Sequence, residues 1–411
     1  MAKATAPKAS RLRQVRDMVK KVFKDDDPSV DLDPQAMTKS FPTIPTGSII
    51  IDHLIGGNPN RHGVPPCPGF PKGRIINLYG HESSGKTTLA LMASARVIKN
   101  GGSVVYIDFE NDIVPAYAKA LGVPIEDEDA FYLVQPDTLE EGLRLLYIVA
   151  NAGVELVVVD SVGAGVPDIV ASRDVKEQGN RGQVGAVASR WSEFLPFVKH
   201  IVSETGTTIL GISQLRSKIS TGPSYGGGGE DMTDDAQGGK AWRFYPTLRM
   251  RLRRVKTEKG LVYDAITHSK VERPIMSTIR CKMDKCKVSP NQGSEADFYI
   301  RFGEGIDDVR SIAEIAVAHG LVSKSGSWLS FTRKDGSEIR RQSMEQFRMA
   351  LKDTKANKGA YEELAKATLA ALSSLPKVSA ITAEEDETAD PIVDMAAVDD
   401  LLAGKEAKPS E

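Results

Sequence analysis

The sequence is poor in the residues that build disulfide frameworks, metal clusters and membrane spans. Its 411 residues include three cysteines and six histidines, and the histidines show no metal-ligand spacing. Cys67, Cys281 and Cys286 are too few and too scattered for a disulfide framework or a paired zinc site, so we expect reduced thiols. No apolar run approaches the roughly 20 residues that cross a bilayer, and the basic N-terminus lacks a signal peptide's apolar core. We therefore expect a cytoplasmic protein without a membrane partner.

Charge is distributed unevenly along the chain, although the formal net charge is only −2. Residues 1–21 carry seven basic side chains and one acid, whereas residues 381–411 carry ten acids and two lysines. A basic body with an acidic tail is typical of a protein that binds a polyanion and regulates access to it. A tail that serves only for solvation is the alternative, and composition leaves both explanations open.

The apolar pattern predicts an α/β fold, with a central and mostly parallel sheet flanked by helices. Alternating strands and helices imply right-handed crossovers, with ligands at the carboxyl ends of the strands. The expected strands span 74–79, 103–108, 131–134, 155–160, 207–213, 247–255, 261–265, 278–287 and 297–302. The expected helices between them span 114–121, 138–150 and 186–203. The last four strands read as antiparallel additions at one edge.

Four parts follow from changes in composition and pattern. Residues 1–40 hold an N-terminal helix, with apolar residues at helical spacing between positions 15 and 22, and a linker; we expect them to act in oligomerisation. Residues 41–305 form the core, and the proline- and glycine-rich stretch at 58–73 reads as a loop insertion. Residues 306–375 form a small C-terminal α/β domain. Residues 376–411 form an acidic, disordered tail.

A complete phosphate-binding loop lies between a predicted strand and a predicted helix. Its residues are Gly80, His81, Glu82, Ser83, Ser84, Gly85, Lys86 and Thr87, followed by Thr88. The glycines let backbone N–H groups point at phosphate oxygens, and the helix adds the positive end of its dipole. Lys86 is expected to reach the β- and γ-phosphates, and the Thr87 hydroxyl to hold Mg²⁺. A chance glycine-rich turn is the alternative, but the order of strand, loop and helix favours a nucleoside triphosphate site.

Two further strands end in acidic residues. Asp160 follows an apolar strand, which is the form of the second nucleotide motif, where the aspartate lies beside Mg²⁺ or its water. Asp108 and Glu110 end another strand, and Glu110 is our candidate base for the water that attacks the γ-phosphate. The alternative is that Asp108 or Glu110 merely caps the following helix.

Together these residues resemble the RecA family of homologous-recombination ATPases. The resemblance covers Thr46-Gly47-Ser48 with Asp52, the loop from Gly80 to Thr87, Asp108-Phe109-Glu110, Asp160-Ser161, Gln214-Leu215-Arg216, Gly238-Gly239 and Phe244-Tyr245. It implies ATP and Mg²⁺ as cofactors and a RecA-like P-loop ATPase core. Glu110 then matches the catalytic glutamate, Tyr117 the aromatic that packs on adenine, and Gln214 the residue that senses γ-phosphate. Val114 stands where bacterial members usually have an aspartate near adenine.

The resemblance also implies that assembly completes the active site. Lys285 and Lys287 match the lysine pair that reaches ATP bound to the neighbouring subunit, so we count both among the catalytic residues. Arg243 and Phe244 match interface positions, and core packing is the alternative for Phe244.

Two loops are expected to contact single-stranded DNA. Their candidate residues are Arg173, Lys176 and Arg181 in the first loop, and Arg216, Lys218, Tyr225, Gly238 and Gly239 in the second. Glycines allow close approach of backbone N–H groups to phosphates, and an inserted side chain can separate bases. Acids at positions 230, 231, 234 and 235 count against simple phosphate attraction in the second loop. A flexible loop without a ligand is the alternative.

The function implied by the resemblance is an ATP-dependent recombinase that forms helical filaments on single-stranded DNA and exchanges strands with homologous duplex DNA. Single-strand-binding and loader proteins are further expected partners. A RecA-like ring helicase and a non-enzymatic, ATP-gated DNA-binding mediator remain alternatives. The divergent second loop fits a bacteriophage-encoded member at least as well as a cellular one.

Overall fold

The computed structural model describes residues 42–56, 67–171, 180–216, 235–236, 238–264 and 267–374. The predicted N-terminal helix, most of the predicted insertion and the acidic tail lie outside these residues. Contacts separate two compact units, Met1–Leu369 and Ala370–Glu411. The sheets, cores and site described below belong to the first unit. Within the described residues, no helix combines the length and apolar character that crossing a bilayer requires.

Side chains cap the N-termini of some of the helices. In chain order they are α1 (Ile49–Gly56), α2 (Lys86–Lys99), α3 (Pro115–Ala120), α4 (Leu139–Ala152), α5 (Asp168–Ala171), α6 (Asn180–Thr205), α7 (Ala241–Phe244), α8 (Asp308–Ala318), α9 (Met344–Lys352) and α10 (Ala360–Ser374). Before α4, the Thr138 hydroxyl accepts the backbone N–H of Glu141 at 3.3 Å, and Gly153 ends the helix with a φ of 76°. Asp307 caps α8 in the same way through the N–H of Arg310 at 3.1 Å.

The strands fall into a large sheet and two small ones. They are β1 (Thr43–Ile44), β2 (Phe70–Pro71), β3 (Ile75–Gly80), β4 (Val104–Asp108), β5 (Phe131–Val134), β6 (Leu156–Asp160), β7 (Thr208–Arg216), β8 (Asp235–Ala236), β9 (Leu248–Asp264), β10 (Ser269–Cys286), β11 (Glu295–Arg301), β12 (Gly305–Ile306), β13 (Ser323–Ser325), β14 (Trp328–Thr332) and β15 (Glu338–Arg341). The last three form an antiparallel sheet of their own, in the order β13-β14-β15.

The large sheet confirms the predicted α/β fold class. Its order is β12-β11-β10-β9-β3-β7-β6-β4-β5, with β8 paired to β7. The run from β9 to β5 is parallel, and β10, β11 and β12 continue it as antiparallel strands. The prediction that all the later strands are antiparallel additions was therefore wrong for β9, which lies parallel to β3. Because β3, β4, β6 and β7 point the same way, their carboxyl ends meet at one edge of the sheet.

A second correction concerns the expected strand at 261–265. It is not a separate element, because β9 continues without a break from Leu248 to Asp264 and pairs with β10 along its whole length. Gly260 lies between the two strands that were expected at 247–255 and 261–265. In the structure it pairs with Arg273, and a Cβ placed on it would meet Ile275 Cδ1 at 2.8 Å. This glycine makes room for a neighbouring side chain inside the ribbon.

Apolar side chains pack on both faces of the large sheet. One core lies between the sheet and helices α1, α2 and α3, and it includes Leu78, Leu89 and Tyr106. The other lies beneath α4, α6 and α7, with Trp191 and Trp242 edge to face at 5.0 Å. A third core joins α8, α9 and α10 to β14 and β15, and it also includes Ile50 of α1. The division of the chain at residue 305 stays a prediction.

Candidate nucleotide site

The phosphate-binding loop connects β3 to α2 at the carboxyl edge of the sheet. Gly80 ends β3, and a Cβ on it would lie 2.1 Å from the carbonyl oxygen of Leu252. Gly85 has a φ of +86°, and a Cβ there would lie 2.5 Å from Ile300 Cδ1. Only glycine is suitable at these two positions. A side chain on Gly80 would clash with the backbone of β9, and one on Gly85 would be strained by the positive φ. The neighbouring strands β9 and β11 therefore shape the loop.

Lys86 turns its ammonium group back over the loop. Its Nζ donates hydrogen bonds to the carbonyl oxygens of Gly80 at 3.1 Å and His81 at 2.8 Å. The side chain is 7% exposed, and burial lowers its pKa, while the negative charges of Asp160, Glu110 and Glu82 act in the opposite direction. A buried cation among neutral carbonyl groups is well suited to pair with an anion that enters the loop.

The donors around the loop fit a bound phosphate chain. The N-terminus of α2 has no side-chain cap, so its first N–H groups are available to a ligand. The Ser84 hydroxyl oxygen is also buried, and it has no hydrogen-bond partner among the described residues. Buried polar groups of this kind are normally satisfied, so an unpaired one at a loop of this shape favours a ligand with acceptor oxygens.

Thr87 and Asp160 lie together beside the loop and form the candidate Mg²⁺ position. Thr87 Oγ1 donates to Asp160 Oδ2 at 2.9 Å, and the Tyr106 hydroxyl donates to the same oxygen at 2.7 Å. The pKa of Asp160 is raised to about 6, mainly by burial. The negative charges of Glu110 and Asp108 also raise it, and the two hydroxyl donors act in the opposite direction.

These oxygen ligands fit Mg²⁺ held jointly with phosphate. Mg²⁺ usually takes only one or two protein ligands and completes its shell with phosphate oxygens and water. The described residues contain no group of three or more His, Cys, Asp or Glu that could hold a metal ion by itself. Thr87 and Asp160 would therefore hold the ion together with the nucleotide.

The two acids at the carboxyl end of β4, Asp108 and Glu110, have different surroundings. Asp108 is buried, and its carboxylate accepts the N–H groups of Glu110 at 3.2 Å and Ile113 at 3.3 Å, and the Gln135 amide at 3.2 Å. These contacts lie in the turn before α3, whose N-terminus has no side-chain cap, so neither acid caps that helix. The Glu110 carboxylate instead faces Gln214, whose Nε2 lies 2.9 Å from Oε1 and 3.0 Å from Oε2. Sequence reasoning missed Asp108 as the residue that fixes the loop carrying Glu110.

Tyr117 lies next to the first turn of α2. Its hydroxyl and Thr88 Oγ1 are 2.8 Å apart, which is within hydrogen-bonding distance. Val114, one helical turn earlier, is 60% exposed. The structure therefore brings Tyr117 to the loop. Val114 is the apolar side chain at the position where the resemblance implies an aspartate near adenine.

Lys285 and Lys287 do not reach the phosphate loop of their own chain. Lys285 pairs in register with Arg249, which pairs with Asn77 in β3, and the N–H of Lys287 bonds the carbonyl of Thr247. These positions lie toward the amino end of β3, about 10 to 16 Å along the strand from Gly80 at about 3.3 Å per residue. Lys285 Nζ donates instead to the Phe244 carbonyl at 2.5 Å. Phe244 is 64% exposed, so core packing does not account for its side chain.

Half of the candidate DNA-contacting residues lie outside the described part of the chain. Arg173, Lys176, Lys218 and Tyr225 belong to this group. The backbone of Arg181 lies in α6, and that of Arg216 ends β7.

Gly238 and Gly239 are described, and both have positive φ, of 92° and 81°. A Cβ on Gly238 would meet Trp242 and Val162 at 2.7 Å, and one on Gly239 would meet Ala188 at 2.5 Å. Close packing against α6 and α7 thus explains these two glycines independently of DNA.

A strand, a phosphate loop and a helix, with a strand-end aspartate beside the loop threonine, define a P-loop nucleotide-binding protein. The family model for the RecA N-terminal domain matches residues 13–307. The chain is 38% identical to protein RecA of Borrelia hermsii over 293 residues, which cover 71% of this chain and 73% of that protein. It is 34% identical to protein RecA of Bifidobacterium breve over 366 residues, 89% and 82% of the two chains. The chain belongs to the RecA family, whose members are ATPases.

Among solved structures, the crystal structure of the RadB recombinase shares 21% identity with this chain, at a TM-score of 0.43. The match covers 64% of this chain and 98% of that one.

The three cysteines, which were expected to be reduced thiols, are free, and all three are buried.

Proposed function

We propose that this protein is a DNA-dependent ATPase that forms filaments on single-stranded DNA and catalyses homologous pairing and strand exchange. One observation carries the proposal: the side chain of Gln214 bonds both carboxylate oxygens of Glu110. Gln214 lies two residues before the end of β7, and the stretch that follows is the second candidate DNA loop. A single contact therefore connects the candidate base to the segment expected to sense DNA.

The chemistry assigns a step to each side chain of the site. Lys86 would bind the β- and γ-phosphate oxygens in place of its present carbonyl partners. Glu110 would accept a proton from the water that attacks the γ-phosphate. Bound Mg²⁺ supplies charge neutralisation on the phosphates; Thr87 would hold it directly and Asp160 through a water molecule.

Gln214 supports a switch between resting and active states. In the structure its amide occupies the Glu110 oxygens that a general base needs for water. DNA bound to the segment after β7 would favour a position of Gln214 that releases this carboxylate, because a ligand shifts an equilibrium toward the state it binds more tightly. Hydrolysis would then weaken the grip on DNA, and base pairing would provide recognition of sequence.

The remaining parts of the chain have roles in assembly. Lys285 and Lys287 would complete the ATP site of the neighbouring subunit in a helical filament. The C-terminal domain would gather duplex DNA, and the acidic tail would compete for the same basic surface. Single-strand-binding and loader proteins are the expected partners for placing the filament on DNA.

Glu110→Gln tests the base. We expect it to keep ATP binding and to lose about 100-fold or more of DNA-stimulated hydrolysis, because a general base contributes about that much. Glu128→Gln, a change at an exposed loop residue, is the matched control. Normal turnover by Glu110→Gln would remove Glu110 from the role.

Strand-exchange assays and electron microscopy with an ATP analogue and single-stranded DNA test the wider function. Helical filaments that exchange strands support the proposal. Closed rings that unwind a forked duplex, or isolated particles without exchange, contradict it.

A further inference from the structure

A buried tyrosine hydroxyl bonds the acidic residue of the candidate Mg²⁺ position. Tyr106 lies in the middle of β4, between the aliphatic residues Val105 and Ile107, and it is fully buried. Its hydroxyl donates to Asp160 Oδ2 at 2.7 Å, the same oxygen that accepts the Thr87 hydroxyl at 2.9 Å. Two hydroxyl groups from different elements therefore converge on one carboxylate oxygen.

We infer that Tyr106 is a positioning residue for the divalent cation, acting through Asp160. The inference rests on the proposed ATPase function and names a residue of the same site. With Oδ2 fixed from both sides, the carboxylate holds the proton of the Thr87 hydroxyl, so that the lone pairs of Thr87 Oγ1 remain for the cation. Loss of a group that orients a metal ligand through a hydrogen bond typically lowers metal affinity or activity by about 10- to 100-fold.

Burial explains why the hydroxyl matters at this point. Asp160 is 6% exposed, so its charged form depends on the few donors that reach it. Without Tyr106, one donor to Oδ2 is lost, and the carboxylate is free to rotate away from Thr87. A hydroxyl that only satisfied its own hydrogen-bonding needs would leave the cation requirement of the enzyme unchanged.

The ring of Tyr106 has a separate packing role, which makes the hydroxyl testable by itself. The ring belongs to the core beneath α2 and lies 6.3 Å, centroid to centroid, from Phe131. Tyr106→Phe keeps these contacts and removes only the oxygen. Tyr299→Phe makes the same change at a half-buried tyrosine of β11 and serves as the control.

The experiment measures binding of a fluorescent ATP analogue as Mg²⁺ is titrated, and again in EDTA. For Tyr106→Phe we expect the half-saturating Mg²⁺ concentration to rise about tenfold, the lower end of the usual range for such groups. Affinity in EDTA, the melting temperature and kcat at saturating Mg²⁺ should stay close to those of the wild type. Tyr299→Phe should match the wild type throughout.

A second variant tests whether Tyr106 acts through Asp160. If it does, Asp160→Asn and the double variant with Tyr106→Phe should have the same Mg²⁺ requirement, because the hydroxyl has lost its charged acceptor. An additive effect of the two changes would overturn the inference. So would an unchanged Mg²⁺ requirement in folded Tyr106→Phe, or an equal loss of affinity with and without Mg²⁺. If the wild type binds no ATP analogue under any condition, the proposed function itself fails.

Discussion

Replacing Gln214 by alanine isolates the contact that joins the candidate base to the DNA-sensing segment. One amide nitrogen serves both oxygens of Glu110, at 2.9 and 3.0 Å, so we count a single charge-assisted hydrogen bond. Such bonds contribute about 1.5–3 kcal/mol, and the lower value applies because Glu110 is only half-buried. Coupling between two sites cannot exceed the interaction that carries it. A loss of about 1.5 kcal/mol corresponds to roughly tenfold.

Gln214→Ala should therefore lower the stimulation of ATPase activity by single-stranded DNA about tenfold, measured as the ratio of turnover with and without DNA. Binding of an ATP analogue should be unchanged, because the hydrogen bonds of the Gln214 side chain go to Glu110. Gln214 meets Gly80 of the loop through the strand pairing of β7 with β3, which alanine keeps. Gln346→Ala removes an exposed amide in α9 and is the control. Wild-type stimulation in Gln214→Ala, with DNA binding intact, would refute the role of Gln214 as the link.

Two further predictions concern the base of the nucleotide and a buried carboxyl group. Val114→Asp should raise the preference for ATP over GTP about tenfold, because a carboxylate beside Tyr117 can accept a hydrogen bond from the adenine amino group. Competition of ATP and GTP against a fluorescent analogue measures the ratio of their affinities. An unchanged ratio contradicts the prediction. Burial, together with a smaller effect of the nearby Asp52 charge, raises the pKa of Asp308 to about 7. The folded state therefore binds the proton more tightly, and this contribution to stability is lost as pH rises through about 7. Asp308→Asn should flatten the fall in the free energy of unfolding between pH 5 and 8, measured with urea; equal slopes would argue against Asp308 as the source.

The parts of the site that depend on local geometry could be predicted from the sequence. A phosphate loop needs glycines at fixed spacing between a strand and a helix. The residues from Gly80 to Thr87 therefore predict both the conformation of the loop and a nucleoside triphosphate as its ligand. Asp160 ends β6 and Glu110 lies just beyond β4, and parallel strands bring their carboxyl ends together. The same reasoning predicted the α/β sheet.

Contacts between residues far apart in the chain could not be read in the same way. The bond from Tyr106 to Asp160 depends on the register of β4 against β6, and nothing in an aliphatic strand marks one tyrosine as different. The sequence left open whether Asp108 or Glu110 only caps the following helix. The structure shows that α3 has no side-chain cap and that Asp108 holds the turn after β4 through the N–H groups of Glu110 and Ile113. The parallel pairing of β9 with β3 was missed because it joins strands that lie far apart in the chain.

That pairing of β9 also determines where the two lysines lie, and it has a consequence for the proposed mechanism. Because β9 runs parallel to β3 and β10 returns beside it, the end of β10 lies near the amino end of β3, away from the phosphate loop. The distance of about 10 to 16 Å along the strand exceeds the span of a lysine side chain, so neither lysine serves the loop of its own chain. If Lys285 and Lys287 act on ATP, the ATP must belong to another copy. Under the proposed function, each chain then contributes to two sites, and hydrolysis depends on assembly.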